Sequence, residues 1–247
     1  MTSNLPAAQA DTVFDPVSVS SPDGPVRLEI AMPRHLFDRL TDHDDAPRCR
    51  YDMATGLAEF VAEPGVSHEW RAARLTALFV QIEDALEDAG QIAAGGLLSA
   101  AATRLLSDDG AYEPDASLFL GRATVEAALR QEGWIDGRAG HPVPVLVAEV
   151  DRSVKSSGKL APYFRMGVRE AWTWSRRDGA RIWVASPESP ERFRAAERSV
   201  VLPGLDRERL DRLLAKDAAA TTARLAREIA RDVAATIAAR GGRWDAV

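Results

Sequence analysis

The sequence predicts an α/β domain with a central mixed β-sheet flanked by helices. Three observations carry this. Val143, Val145 and Val147 alternate with Leu146, Ala148 and Val150, so this strand is apolar on both faces and must be covered on both sides. Residues 67–89 place Leu75, Leu78, Phe79, Ile82 and Leu86 at intervals of three and four, the spacing of a helix with one apolar face. Short strand-like segments flank Ala54-Thr55-Gly56 and Arg177-Asp178-Gly179, the composition of tight β-turns.

Taken in order, residues 1–25 are rich in Ser, Pro, Asp and Ala without periodicity and are expected to form a flexible tail. Residues 33–42 predict a short helix with Pro33 near its first turn. Tyr51, Met53, Leu57 and Phe60 surround the first hairpin turn, and Pro64-Gly65 ends it. Ser67 is placed to cap the helix over 67–89, which Gly90 stops. Residues 91–106 predict one or two strands around Gly95-Gly96, and Asp115–Leu120 a short strand behind Pro114. Residues 121–140 read as an irregular connection, helical around 124–131. A helix over 158–166 follows the central strand, and 171–175 pairs with 180–186 as the second hairpin.

After Pro203-Gly204 the composition shifts to Ala, Leu and Arg, with Leu225, Ile229, Val233 and Ile237 every fourth residue. The division expected is a tail, a domain over 26–205, and a C-terminal amphipathic helical extension over 206–247, broken near 216–222. The apolar stripe of the extension packs either on its own domain or on a second copy as a homodimer contact.

The chain has 247 residues, 46% apolar and 28% charged, with a formal net charge of −6. A strongly basic chain would point at nucleic acid by charge alone; this one does not, although its 31 Lys and Arg could gather on one face. Cys49 is the one cysteine, so no internal disulfide forms, as in a reducing compartment. The first basic residue is Arg27; without a basic start and an apolar run, a cytoplasmic location is expected and no membrane span. The four histidines are scattered, and no zinc pattern is present. Trp172, Trp174 and Trp183 stand at strand spacing and read as core.

Chemistry-bearing residues collect around the central strand. Glu149 stands at its end, where a carboxylate is either solvated just past the sheet edge or paired with a cation. Asp115 opens the preceding strand; alone, an Asp after Pro is a routine turn residue. Two strand-end carboxylates together supply what a hard divalent cation takes, oxygen ligands with room for water and a phosphate oxygen. Gly158-Lys159 invites a P-loop reading, but residue 153 is Ser where a Gly is needed and residue 160 is Leu where Ser or Thr is needed. Lys159 is either a solvated lysine or one held in a first turn for another reason, since the helix dipole disfavours it there.

The blocks YDMATGLAEFVAEPGVSHEW, EPDASLFL, PVLVAEV and KLAPYFRMGVREAWTW, in that order, resemble the Uma-two family of restriction endonucleases, a branch of the PD-(D/E)xK nuclease superfamily. The resemblance covers roughly residues 30–205; its most specific part is the spacing of Lys159, Tyr163, Gly167-Val168, Glu170 and Trp172. It implies a restriction-endonuclease-like three-layer core and hydrolysis of DNA phosphodiester bonds. Asp115 and Glu149 would bind Mg²⁺ or Mn²⁺, with the Val150 carbonyl as a further ligand. Lys159 would act on the attacking water and the phosphate, because Asp151 stands where the superfamily places its lysine. Asp151 itself is a further ligand or loop. Two departures stand out: only ten residues separate Glu149 from Lys159, and Arg152 replaces the family's Ser. Ser153 could substitute for that Ser, and Lys155 is the alternate lysine. His68 matches the family; Glu69 is either an acidic neighbour of the metal or a first-turn Glu favoured by the helix dipole. The alternative reading is a nuclease-like fold that no longer cuts and serves as a binding or protein-interaction module.

Overall fold

The computed structural model describes residues 16–20, 27–41, 49–61, 66–101, 103–108, 110–131, 134–151, 159–189, 192–215, 222–241 and 244. In chain order these form β1 (Pro16–Ser20), β2 (Arg27–Ala31), α1 (Arg34–Thr41), β3 (Cys49–Asp52), β4 (Leu57–Val61), α2 (Val66–Asp88), β5 (Leu97–Ala101), β6 (Leu105–Ser107) and β7 (Gly110–Tyr112). There follow β8 (Ala116–Leu120), α3 (Arg122–Leu129), β9 (Ile135–Asp136), β10 (Leu146–Asp151), α4 (Leu160–Met166), β11 (Glu170–Ser175), β12 (Gly179–Ala185), β13 (Phe193–Ala196), α5 (Arg207–Leu214) and α6 (Thr222–Ala239).

The doubly apolar strand is central. β10 pairs in parallel with β11 and antiparallel with β8, inside a sheet ordered β13-β12-β11-β10-β8-β5. Leu146, Ala148 and Val150 enter one core with Leu75, Leu78, Phe79 and Ile82 of α2, Leu210 and Leu213 of α5, and Ile229 and Val233 of α6. Val147 enters a second core with Val125 of α3 and with Leu160 and Tyr163 of α4. The sheet is thus sandwiched between helices on both faces, the three-layer α/β arrangement that a two-faced apolar strand requires.

Three expectations change. The strands ahead of α2 do not join the central sheet. With β6, β7 and β9 they build a second one, ordered β1-β2-β4-β3-β7-β6-β9 and antiparallel except at β6–β9. Its own small core holds Met32, Phe37, Cys49, Tyr51 and Ala58. Part of the expected tail is structured, because Pro16–Ser20 pairs with β2. α2 begins at Val66, so Ser67 lies inside its first turn rather than before it. Of the two packings expected for the C-terminal stripe, the structure takes the one on its own domain, since Ile229, Val233 and Ile237 are buried in the same core as α2. That covers the stripe within the chain, and the homodimer contact loses its basis.

α2 and α5 are also joined through polar groups. Arg71 Nε donates to the Leu214 carbonyl at 3.0 Å, and an Arg74 amino group to the Leu213 carbonyl at 2.6 Å. The last carbonyls of a helix have no partner inside it, and here two buried arginines supply them. Burial, and then neighbouring Arg71, bring the Arg74 guanidinium down to about 10, still protonated at neutral pH. Burial pushes the Cys49 thiol up to about 12, which leaves it inert.

Gly110 shows how closely β7 and β3 approach. A Cβ built there lies 2.2 Å from the Tyr51 carbonyl oxygen, so two backbones would have to part. Gly110→Ala is expected to destabilise the fold by about 2 kcal/mol, read as a drop of several degrees in Tm.

Candidate active site

The register of β8 on β10 sets Ala116 opposite Ala148 and Ser117 opposite Val147. Carried one residue further, it sets Asp115 opposite Glu149 on the same face. Side chains so placed have Cβ atoms about 5 Å apart, and like charges there repel. Both are nonetheless buried, Asp115 at 4% and Glu149 at 3% exposure. Two buried carboxylates side by side hold only if cations and donors face them.

Each carboxylate has such partners. On Asp115, the Val150 N–H donates to Oδ2 at 2.5 Å and His68 Nε2 stands 3.2 Å from Oδ1. On Glu149, Lys159 Nζ stands 2.7 Å from Oε2, and the Tyr163 hydroxyl donates to Oε1. Each contact follows from local structure. Lys159 is the N-cap residue of α4 and Tyr163 lies four residues on, so both project from one face of that helix. Trp172, buried in the core against Phe79, anchors β11, whose Thr173 pairs with Glu149.

The structure therefore brings together Asp115, Glu149, Lys159 and His68. Val150 joins them through its N–H. Asp151 ends β10, while Ser153 and Lys155 lie outside the described residues, as do the side chains of Asp151 and Glu69. Sequence reasoning assigned no role to Tyr163, although its spacing of four from Lys159 was a usable signal. Tyr163 is fully buried; burial, and then the charge of Glu149, hold its phenol well above the ordinary range, so it stays a hydrogen-bond donor at working pH. Tyr163→Phe keeps the ring that packs edge-on to Tyr112 and removes only this donor. If the Asp115–Glu149 pair holds a divalent cation, losing this donor is expected to weaken that binding by about 10- to 100-fold with little change in Tm.

Among the described residues, no group of three or more His, Cys, Asp or Glu side chains is arranged to hold a metal ion. The donor set nevertheless suits Mg²⁺ or Mn²⁺: such ions need oxygen ligands, use one or two carboxylates, and fill the remaining positions with water and phosphate. The Asp115–Glu149 pair supplies that number, and the repulsion between the two is what a divalent cation relieves.

Glu170, part of the most specific motif, does not belong to this site. Its carboxylate is fully buried and accepts from Trp172 Nε1 at 2.6 Å, Ser199 Oγ at 2.6 Å, and the N–H groups of Val200 and Val201 at 2.7 and 3.0 Å. It ties β11 to the segment leading into α5.

A family model described as "Putative restriction endonuclease", Uma2, matches residues 35–222. Among solved structures, the chain is similar to a "putative nuclease" from Anabaena variabilis ATCC 29413, at 14% identity and a TM-score of 0.46, over 68% of this chain and 92% of that one. No curated protein matches. Among the described residues, no helix is long and apolar enough to cross a membrane.

Proposed function

The chain belongs to the Uma2 family, whose description is "Putative restriction endonuclease", and from that premise we propose that it is a metal-dependent nuclease hydrolysing DNA phosphodiester bonds in the cytoplasm. The observation that carries this reading is the buried pair Asp115 and Glu149, set opposite one another with Lys159 held on Glu149.

Asp115 and Glu149 would hold Mg²⁺ or Mn²⁺, with the Val150 carbonyl as a further ligand. A metal so bound supplies a water of lowered pKa and polarises a phosphoryl oxygen. The residues of the chain do the rest. His68 and the Val150 N–H fix the Asp115 carboxylate, and Tyr163 fixes that of Glu149. Lys159, partly exposed beside Glu149, would present its ammonium to the attacking water and the scissile phosphate. There it orients the water and offsets charge on the phosphate oxygens. The water oxygen would bond to phosphorus as the P–O bond to the leaving alkoxide breaks; the proton lost by water passes to solvent, and the leaving oxygen takes a proton from solvent.

Supercoiled plasmid tests this. Nicked or linear product is expected with Mg²⁺ or Mn²⁺ and none in chelator, and Lys159→Ala should slow cleavage by about 100-fold or more. A purified, folded chain that cuts no DNA with either metal overturns the reading and leaves the non-cutting interaction module, favoured by the net charge of −6.

A further inference from the structure

A chain of net charge −6 must still hold a polyanion if it is to cut DNA, and phosphate contacts supply most of that binding. The strand ends beside the acidic pair carry the cationic groups such contacts need. β10 and β11 run parallel, with Glu149 opposite Thr173 and Asp151 opposite Ser175, so the two strands end together. The turn that leaves β11 is Arg176-Arg177-Asp178, and β12 returns with Arg181 opposite Thr173. With the β8 register carried one residue past its last pair, Asp115 joins Glu149, Thr173 and Arg181 in one row on a single face. Two strand spacings of about 4.8 Å put Arg181 roughly 10 Å from Glu149.

This hairpin is built to hold its arginines outward. Asp178 N–H donates to Ser175 Oγ at 3.0 Å, and Ala180 N–H donates to Asp211 Oδ1 at 2.8 Å, which fixes the turn and its base. Arg176 and Arg177 are exposed at the tip. Arg181 is 47% exposed, 3.2 Å from Asp178. Asp178 and Asp211 are the facing carboxylates, and each is engaged by a backbone N–H or a guanidinium of the turn. Three guanidiniums against one carboxylate of the hairpin's own leave it cationic beside the acidic pair.

We propose that the hairpin of residues 175–181 is the DNA-backbone clamp of this nuclease, with Arg176, Arg177 and Arg181 binding phosphates of duplex DNA that flank the scissile one. It rests on the nuclease reading above. Guanidinium forks match phosphate oxygens two to two, and roughly 10 Å spans about three base steps at 3.4 Å each.

The test is anisotropy of a labelled DNA duplex with the full chain in chelator, across a salt series, beside plasmid cleavage with Mn²⁺. The R176A/R177A double variant is expected to bind at least about tenfold more weakly, with a salt slope lower by about 2 and an unchanged Tm. R176K/R177K should restore most of the slope. R122A/R169A alters exposed arginines at the opposite ends of β8 and β11 and should leave both quantities unchanged. If the wild type binds and cuts DNA while R176A/R177A matches it in affinity and slope, the clamp is wrong and the nuclease reading stands. If the wild type neither binds nor cuts DNA, both fall. Tighter binding to an RNA duplex of the same sequence overturns the DNA assignment.

Discussion

Glu149→Gln is expected to lower metal-dependent DNA cleavage by about a thousandfold while the chain stays folded. The carboxylate it removes is one of two that would hold a cation, and the amide oxygen left behind is neutral. In metal-assisted hydrolysis several kcal/mol of transition-state stabilisation come from the metal, and each 1.36 kcal/mol is a factor of ten in rate. Stability responds to opposing effects. The amide keeps one of its two partners, Tyr163 or Lys159, and turns a donor toward the other. Against that, Asp115 loses the like charge set opposite it. Lys159 is partly exposed and can turn its ammonium to water. These changes nearly cancel, so Tm should shift by only a few degrees. Single-turnover plasmid cleavage and a thermal melt read the two quantities. Cleavage within tenfold of wild type would remove Glu149 from the chemistry.

Much of this site was legible because its parts are local. A strand apolar on both faces has to be central, and a carboxylate at its end has to find partners; both follow from residues 143–150 alone. The cross-strand placement of Asp115 was harder to see. It depends on the register of β8 on β10, which no local pattern encodes. The second sheet was missed for a related reason. β3 and β4 were visible as a hairpin, but their pairing onward to β7 and β2 is a long-range choice set by packing. The stripe of α6 was read correctly as apolar, and only the fold could say that α2 covers it. Glu170 shows the limit of motif reasoning most clearly. It shares a spacing pattern with Lys159 and Tyr163, yet its partners are the Trp172 indole and residues 199–201, away from the Asp115–Glu149 pair.

That separation gives the second large effect, on stability rather than catalysis. Glu170→Ala leaves four donors without their acceptor, three of them buried: the Trp172 indole, the Ser199 hydroxyl and the Val201 N–H are buried, and the Val200 N–H is nearer solvent. Each unsatisfied donor costs about 1–3 kcal/mol, offset by the charge no longer buried. A net loss of about 4 kcal/mol, or roughly 10 °C in Tm for a chain of this size, is expected. Glu170→Gln should cost less. Its oxygen can take the two backbone N–H groups, and its amide can donate to Ser199 Oγ, which already accepts from Leu202 N–H at 2.7 Å. Only the Trp172 indole then meets a donor instead of an acceptor. The order wild type, Gln, Ala is therefore expected in thermal melts. Burial raises the Glu170 carboxyl above its ordinary 4.5, and the four donors pull it back only in part. A folded-state value above the unfolded one means that this group's stabilisation is complete below pH 4.5 and declines as pH rises through the folded value. Subtracting the Gln variant's stability from wild type across that window should reveal the decline. A difference that instead grows with pH would show that the four donors, and not burial, dominate at this carboxylate.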